Sequence, residues 1–245
     1  MSGASVNGLV VRGISKRFRG LQAVKDVSFD VPERAIVALI GPNGAGKTTT
    51  FNLIAGVTPP DIGEIRFGER VLNGLQPHEV CAAGVARTFQ IVRPFAGLTV
   101  EENVMVGCLH ADPDVGQARA HSRRILEKLG MAEKSQMPAA SLTLPDRKRL
   151  EVARALGTRP KLLLLDEVMA GLRPTEVDQM VEFFRWVNRE HQVTILLIEH
   201  VMRAVMALAQ YVVVLNHGEK IAEGTPEQVV RDPAVLECYL GEEAV

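Results

Sequence analysis

Residues 41–49 read Gly41-Pro42-Asn43-Gly44-Ala45-Gly46-Lys47-Thr48-Thr49, which places two glycines and a lysine–threonine pair at the GxxxxGK[ST] spacing. Small residues at these positions let backbone N–H groups wrap a β-phosphate at a helix N-terminus. Lys47 is then placed to reach β- and γ-phosphate oxygens as a point charge, and the Thr48 hydroxyl to bind Mg2+, so ATP and Mg2+ are the expected ligands. A second acidic pair lies far downstream, where Leu162-Leu163-Leu164-Leu165 ends in Asp166 and Glu167. Open α/β sheets place their sites at such strand ends. Asp166 is expected to hold Mg2+ through water, and Glu167, on the other side of the strand tip, to polarise the attacking water as general base.

These residues need a strand before the loop, a helix after it and a parallel sheet beneath. The run IVALI at 36–40 leads into the loop, and FNLIAG continues as a helix that stops near Gly56. KLLLLDE and TILLIEH are unbroken apolar runs, the pattern of central parallel strands buried on both faces. Between them Val177, Met180, Val181, Phe184 and Val187 recur at helical spacing and predict a crossover helix. LVVRGIS and VSFDV near the N-terminus predict a small β layer, and YVVVL, a turn at Asn216–Gly218 and KIAEG predict a hairpin. AHSRRILEKLGM and DRKRLEVARALG are amphipathic and helical, joined by the polar MAEKSQMPAAS. The expected fold class is α/β. A P-loop NTPase core with a mostly parallel sheet carries an N-terminal antiparallel β layer and an inserted helical subdomain. As boundaries, 1–92 and 161–245 form the core and 93–160 the helical lobe of one domain.

Composition narrows the function. Lys plus Arg number 28 against 29 Asp plus Glu, so no global basic field recruits nucleic acid, and none is expected as a partner. Cys81, Cys108 and Cys238 lie far apart without a CxxC pair, which argues against zinc and disulfides and suits a reducing compartment. The N-terminus lacks the pattern of a secretory signal, and the apolar runs fall short of the roughly 20 residues that cross a bilayer. Any membrane-crossing part is expected in another chain.

The motif set resembles the ATP-binding cassette (ABC) transporter ATPases, from about Leu9 to Gly241. That resemblance implies further roles. Phe18, in SKRFRG, sits where the family stacks an aromatic on adenine. Gln90, in RTFQ, matches the glutamine that senses Mg2+ and the attacking water, and His200, in LLIEH, the switch histidine that contacts the γ-phosphate. RTFQIVRPFAGLTVEENVMVG, the IEH at 198–200 and EGTPEQVVRDPAVLECYLGE are similar to the ATPase subunits of branched-chain amino acid importers. Subunits of urea and amide importers and of lipopolysaccharide export are also similar. The implied partners are a second ATPase subunit, two transmembrane permeases and, indirectly, a periplasmic or extracellular substrate-binding protein. The implied location is the cytoplasmic face of the cell membrane. Arg93, Pro94 and Phe95 form a candidate permease-docking surface. An exporter motor is a rival reading. A soluble ABC ATPase is disfavoured by a single ATPase domain, no basic arm and no coiled-coil insertion.

The chain departs from the family where LSGGQ is normally found, since the aligned residues are Leu142-Thr143-Leu144-Pro145-Asp146. Thr143 keeps a hydroxyl for the γ-phosphate of an opposing subunit, but Pro145 has no N–H and Leu144 adds bulk. Thr143-x-x-Asp146 fits a capping box that leaves the helix N-terminus aimed at an anion. Ala170 and Arg173 replace the family's common serine and aspartate. The expectation is a heterodimer with a different ATPase, in which this P-loop forms the stronger of two sites; a homodimer stays open.

Overall fold

The computed structural model describes residues 8–240. The chain begins with a long antiparallel hairpin, β1 (Leu9–Phe18) and β2 (Leu21–Val31), passes through β3 (Ile36–Ile40) and turns over the glycine loop into α1 (Lys47–Ile54). Strands β4 (Ile62–Phe67) and β5 (Arg70–Val71) join the hairpin in an antiparallel sheet of order β2-β1-β4-β5. Helix α2 (Pro77–Ala82) leads to β6 (Val85–Arg87). Then α3 (Val100–Ala111), α4 (Val115–Lys128) and α5 (Leu144–Gly157) follow in succession before β7 (Leu162–Asp166). The crossover helix α6 (Pro174–His191) joins β7 to β8 (Thr194–Ile198), and α7 (Met202–Leu208) leads to the hairpin β9 (Tyr211–Asn216) and β10 (Glu219–Gly224). Helices α8 (Pro226–Val229) and α9 (Pro233–Leu240) end the described chain.

The second sheet runs β10-β9-β3-β8-β7-β6, parallel throughout except for β10 at its edge. Strands β3, β7 and β8 and most of β9 read as continuous apolar runs because they have a core on both sides. Val37, Leu39, Leu162, Leu164, Leu196, Ile198, Val213 and Leu215 face one cluster, with Phe51 of α1 and the N-terminal sheet. Their neighbours Ala38, Ile40, Leu163, Leu165, Ile195, Leu197, Val212 and Val214 face the other, with Leu150 of α5 and Phe184 of α6. The period of two along a strand makes the division. This mixed α/β architecture with its antiparallel sheet is the expected fold class.

Strands β4, β5 and β6 and helices α2, α3, α7, α8 and α9 were not foreseen. Strand β6 is three residues long, too short for a pattern. Helix α2 is six residues, capped by Gln76 and Glu79. Helix α3 does carry a legible start signal, because Thr99 accepts from the Glu102 N–H while the Glu102 carboxylate returns to the Thr99 N–H at 2.8 Å. The polar linker between α4 and α5 holds two short 3-10 turns. No helix among the described residues is long and apolar enough to cross a membrane.

Candidate functional site

The glycine loop is shaped by close backbone approach. Gly46 adopts φ 99°, and a Cβ there would lie 2.5 Å from the Ala23 carbonyl oxygen; at Gly41, φ 146°, it would lie 2.0 Å from the Leu215 carbonyl oxygen. Any side chain at either position forces the loop off the neighbouring strands. The loop ends at the N-terminus of α1, where the backbone N–H groups and the helix dipole favour an anion. Lys47 is buried, and its ammonium donates to the carbonyls of Gly41 at 2.6 Å and Pro42 at 2.7 Å. A cavity of about 500 Å³ opens over the loop and is lined by Asn43–Thr49, by Gln90 and Glu167, and by Leu21, Gln22, Ala23 and His217.

Glu167 follows β7 with φ 50°, a left-handed conformation that is rare for a residue with a side chain. Its N–H donates to the Ile198 carbonyl at 2.9 Å and its carbonyl accepts from the Lys148 ammonium at 2.9 Å, so both backbone groups hold the turn. The carboxylate is held as well. Gln90 Nε2 donates to Glu167 Oε2 at 2.7 Å, and His200 Nε2 lies 2.8 Å from Oε1, which places the imidazole proton on Nε2. A carboxylate fixed between two such donors at the cavity wall can orient a water and accept its proton.

Asp166 lies deeper, 1% exposed at the end of β7. Its N–H donates to the Thr88 hydroxyl at 3.0 Å, and its Oδ2 accepts from Arg87 Nη2 at 2.9 Å. Burial raises the carboxyl above its usual range, against the pull of Arg87. Oδ1 is buried without a hydrogen-bond partner among the described residues. That orphan oxygen, together with the hydroxyl of exposed Thr48 at the head of α1, is the kind of hard oxygen donor set that fits Mg2+.

Two of the expected site residues stand apart from this cavity. Phe18 ends β1, 43% exposed, with the Lys16 ammonium 5.6 Å from its ring; the cavity wall nearest it is Leu21, its partner across the hairpin turn. Thr143 caps α5 on the surface, accepting from the Asp146 N–H at 3.4 Å and donating to Asp146 Oδ2 at 2.8 Å. The reciprocal bond of a full capping box, from the Thr143 N–H to Asp146, is replaced by Asp146 pairing with Lys134 at 2.6 Å. Burial works against the Asp146 charge, but Lys134 and Thr143 hold its carboxyl below the usual range. Sequence reasoning quoted Arg87 and Thr88 only within RTFQ, Lys148 only within DRKRLEVARALG and Glu199 only within IEH, and gave none of them a role. None of them carries a local signal, because each acts through a contact distant in sequence.

The comparisons with known proteins agree with this geometry. The model of the ABC transporter family matches residues 24–170, and that of the branched-chain amino acid ATP-binding cassette transporter matches residues 219–245. The chain is 42% identical to the high-affinity branched-chain amino acid transport ATP-binding protein LivG of Salmonella typhimurium, over 96% of this chain and 98% of that one. It is 40% identical to BraF of Pseudomonas aeruginosa, which has the same description, with the same coverage. Among solved structures, the ADP conformation of an ATP-binding cassette of an ABC transporter superposes with a TM-score of 0.85 at 29% identity, covering 95% of this chain and 98% of that one. With the phosphate loop, the acidic strand end and these likenesses spanning nearly its whole length, the chain belongs to the ABC transporter family, as one of its ATP-hydrolysing cassettes.

Proposed function

We propose that this cassette energises import of branched-chain or related amino acids, or of amides or urea, through separate permeases, at the cytoplasmic face of the membrane. The observation that carries the hydrolytic half is the Glu167 carboxylate fixed between Gln90 and His200 at the wall of the glycine-loop cavity. The import half is supported by the match over residues 219–245 and by the printed roles of LivG and BraF.

In this reading the backbone of Gly41–Gly46 cradles the phosphates of ATP, Lys47 leaves its carbonyl partners for the β- and γ-phosphates, and Phe18 stacks on adenine. Thr48, Gln90 and, through water, Asp166 would hold Mg2+, whose charge would offset that of the phosphates. Glu167 takes the proton of a water as its oxygen bonds to the terminal phosphorus and the bond to the ADP oxygen breaks, while His200 steadies the γ-phosphate. Two cassettes close around ATP, and product release reopens them. Residues 93–160 form the lobe that faces the permeases. Its docking surface is Arg93, Pro94 and Phe95, with Phe95 exposed and the Arg154 guanidinium 4.6 Å from its ring. An apolar groove beside it is lined by Val57, Phe89 and Val106.

Purification of the tagged chain from its native membranes in mild detergent, with every bound protein identified by mass, is the test. Two permeases and a second ATPase are the expected recovery. A permease-free complex, above all one carrying nucleic acid, would sink the transport reading.

The tip of α5 yields a prediction about the second cassette. Leu144 is 58% exposed beside Thr143, and Pro145 occupies the first turn without an N–H. Replacing Leu144-Pro145 by Gly-Gly opens the approach and restores a donor, so hydrolysis at the site completed by this tip is expected to rise about fivefold, near the ~1 kcal/mol of a typical hydrogen bond. Turnover of the assembled transporter, with Glu167 replaced by glutamine to silence the site made by this P-loop, reads the change. An unaltered rate would mean that the tip does not limit that site.

A further inference from the structure

Three segments that meet behind Glu167 are joined by two buried charged side chains that the hydrolytic reading does not use. Lys148, from the second turn of α5, sends its ammonium between the carbonyls of Glu167 and Ala170. Glu199, the last residue before His200, is 1% exposed and accepts the Met169 N–H on Oε1 at 2.8 Å. Its Oε2 is buried with no hydrogen-bond partner among the described residues. The turn from Glu167 to Ala170 is therefore gripped at its first and last carbonyl groups and at one N–H by side chains from outside it. That turn begins with the left-handed Glu167, a conformation that costs of order 1–3 kcal/mol and persists where the surroundings over-determine it.

Taking both charges out of water is also costly. Burial pushes the Glu199 carboxyl up to about 7 and the Lys148 ammonium down, while each partly restores the charge of the other. Of the charged groups felt at Glu199, Lys148 on α5 favours its ionised form and Glu167 opposes it. An apolar pair would fill the space at less cost, so the hydrogen bonds to the turn are the return on keeping these residue types.

We propose that Lys148 and Glu199 are positioning residues for hydrolysis, a clamp that holds the Glu167–Ala170 turn so that the Glu167 carboxylate stays between Gln90 and His200. The clamp also links α5, whose tip faces the opposing cassette, to the base of this cassette's own site. It rests on the reading of Glu167 as general base.

The test uses the assembled transporter, with hydrolysis followed by phosphate release and binding by the fluorescent analogue TNP-ATP. Lys148→Met and Glu199→Ala are expected to lower kcat about tenfold or more, the scale of a carboxylate displaced by a fraction of an ångström, with KM and TNP-ATP affinity within about twofold. Lys148→Arg and Glu199→Gln keep a donor to the carbonyls and an acceptor for Met169, and are expected to recover most of the rate. An unchanged kcat in the Met and Ala variants overturns the clamp. So does a loss of binding and melting temperature in parallel with rate in all four, which marks a merely structural role. Glu167→Gln separates the two readings at the site made by this P-loop: if it removes that site's turnover while Lys148→Met leaves kcat unchanged, the clamp alone falls, and if it leaves that turnover intact, the assignment of Glu167 falls with it.

Discussion

Glu167→Gln lowers ATP turnover at the site made by this P-loop by about 10²- to 10⁴-fold while ATP affinity there changes by about twofold or less. The glutamine is isosteric; its carbonyl oxygen can accept from Gln90 Nε2 while its amide N–H meets the other imidazole tautomer of His200, so the turn at φ 50° keeps its backbone bonds. What is lost is an acceptor basic enough to take a proton from water. A general base contributes only where charge moves in the transition state, so the loss falls on kcat and not on binding. Measured kcat near that of the unaltered chain would remove Glu167 from the chemistry and return the role to some other group at the cavity wall.

Arg87→Met destabilises the fold by about 3–5 kcal/mol at neutral pH, the cost of breaking a buried ion pair from one side. Arg87 and Asp166 are 7% and 1% exposed in their side chains and 2.9 Å apart. The guanidinium also donates to Asn52 Oδ1 and lies over Phe51 and Phe89, with ring centroids 5.7 Å and 5.1 Å away. Methionine keeps the packing on the rings but leaves the Asp166 carboxylate buried without its counter-charge. The sign of the pH dependence follows. Burial already raises the Asp166 carboxyl, and without Arg87 it rises further, so the folded state binds a proton more readily than the unfolded chain. The deficit is therefore greatest at neutral pH and shrinks as pH falls through the raised value, where protonation removes the unpaired charge. Urea unfolding at about pH 7 and about pH 5 reads both. An equal deficit at the two values would show that the loss comes from packing and not from Asp166.

The two predictions differ in how visible their residues were. Glu167 was legible because it follows an apolar strand run and stands beside Asp166, and because Gly41–Thr48 specifies its own backbone shape. Arg87 was not legible. It lies on a three-residue strand, and its partner is far along the chain, joined to it only once β6 pairs in parallel with β7. Helix α3 shows the intermediate case, since its capping box at Thr99 and Glu102 was written in the sequence but its apolar face is mixed enough to hide the helical period.

By itself the sequence determined the elements whose cause is local. A glycine at Gly46 is demanded by a left-handed backbone pressed against Ala23, a lysine at Lys47 by the phosphate charge we propose it meets, and unbroken apolar runs at β7 and β8 by burial on both faces. The same local logic drew the α/β class, the crossover helix α6 and the β9–β10 hairpin. Only the tertiary structure decided how the charges are arranged around that loop. Gln90 and His200 meet on one carboxylate, Arg87 neutralises Asp166, and Lys148 and Glu199 grip the turn between them, each through a partner supplied by a different strand or helix. Electrostatic cost in a low-dielectric interior depends on those distances and on water exclusion, and neither exists until the sheet has formed and the helices have closed over it.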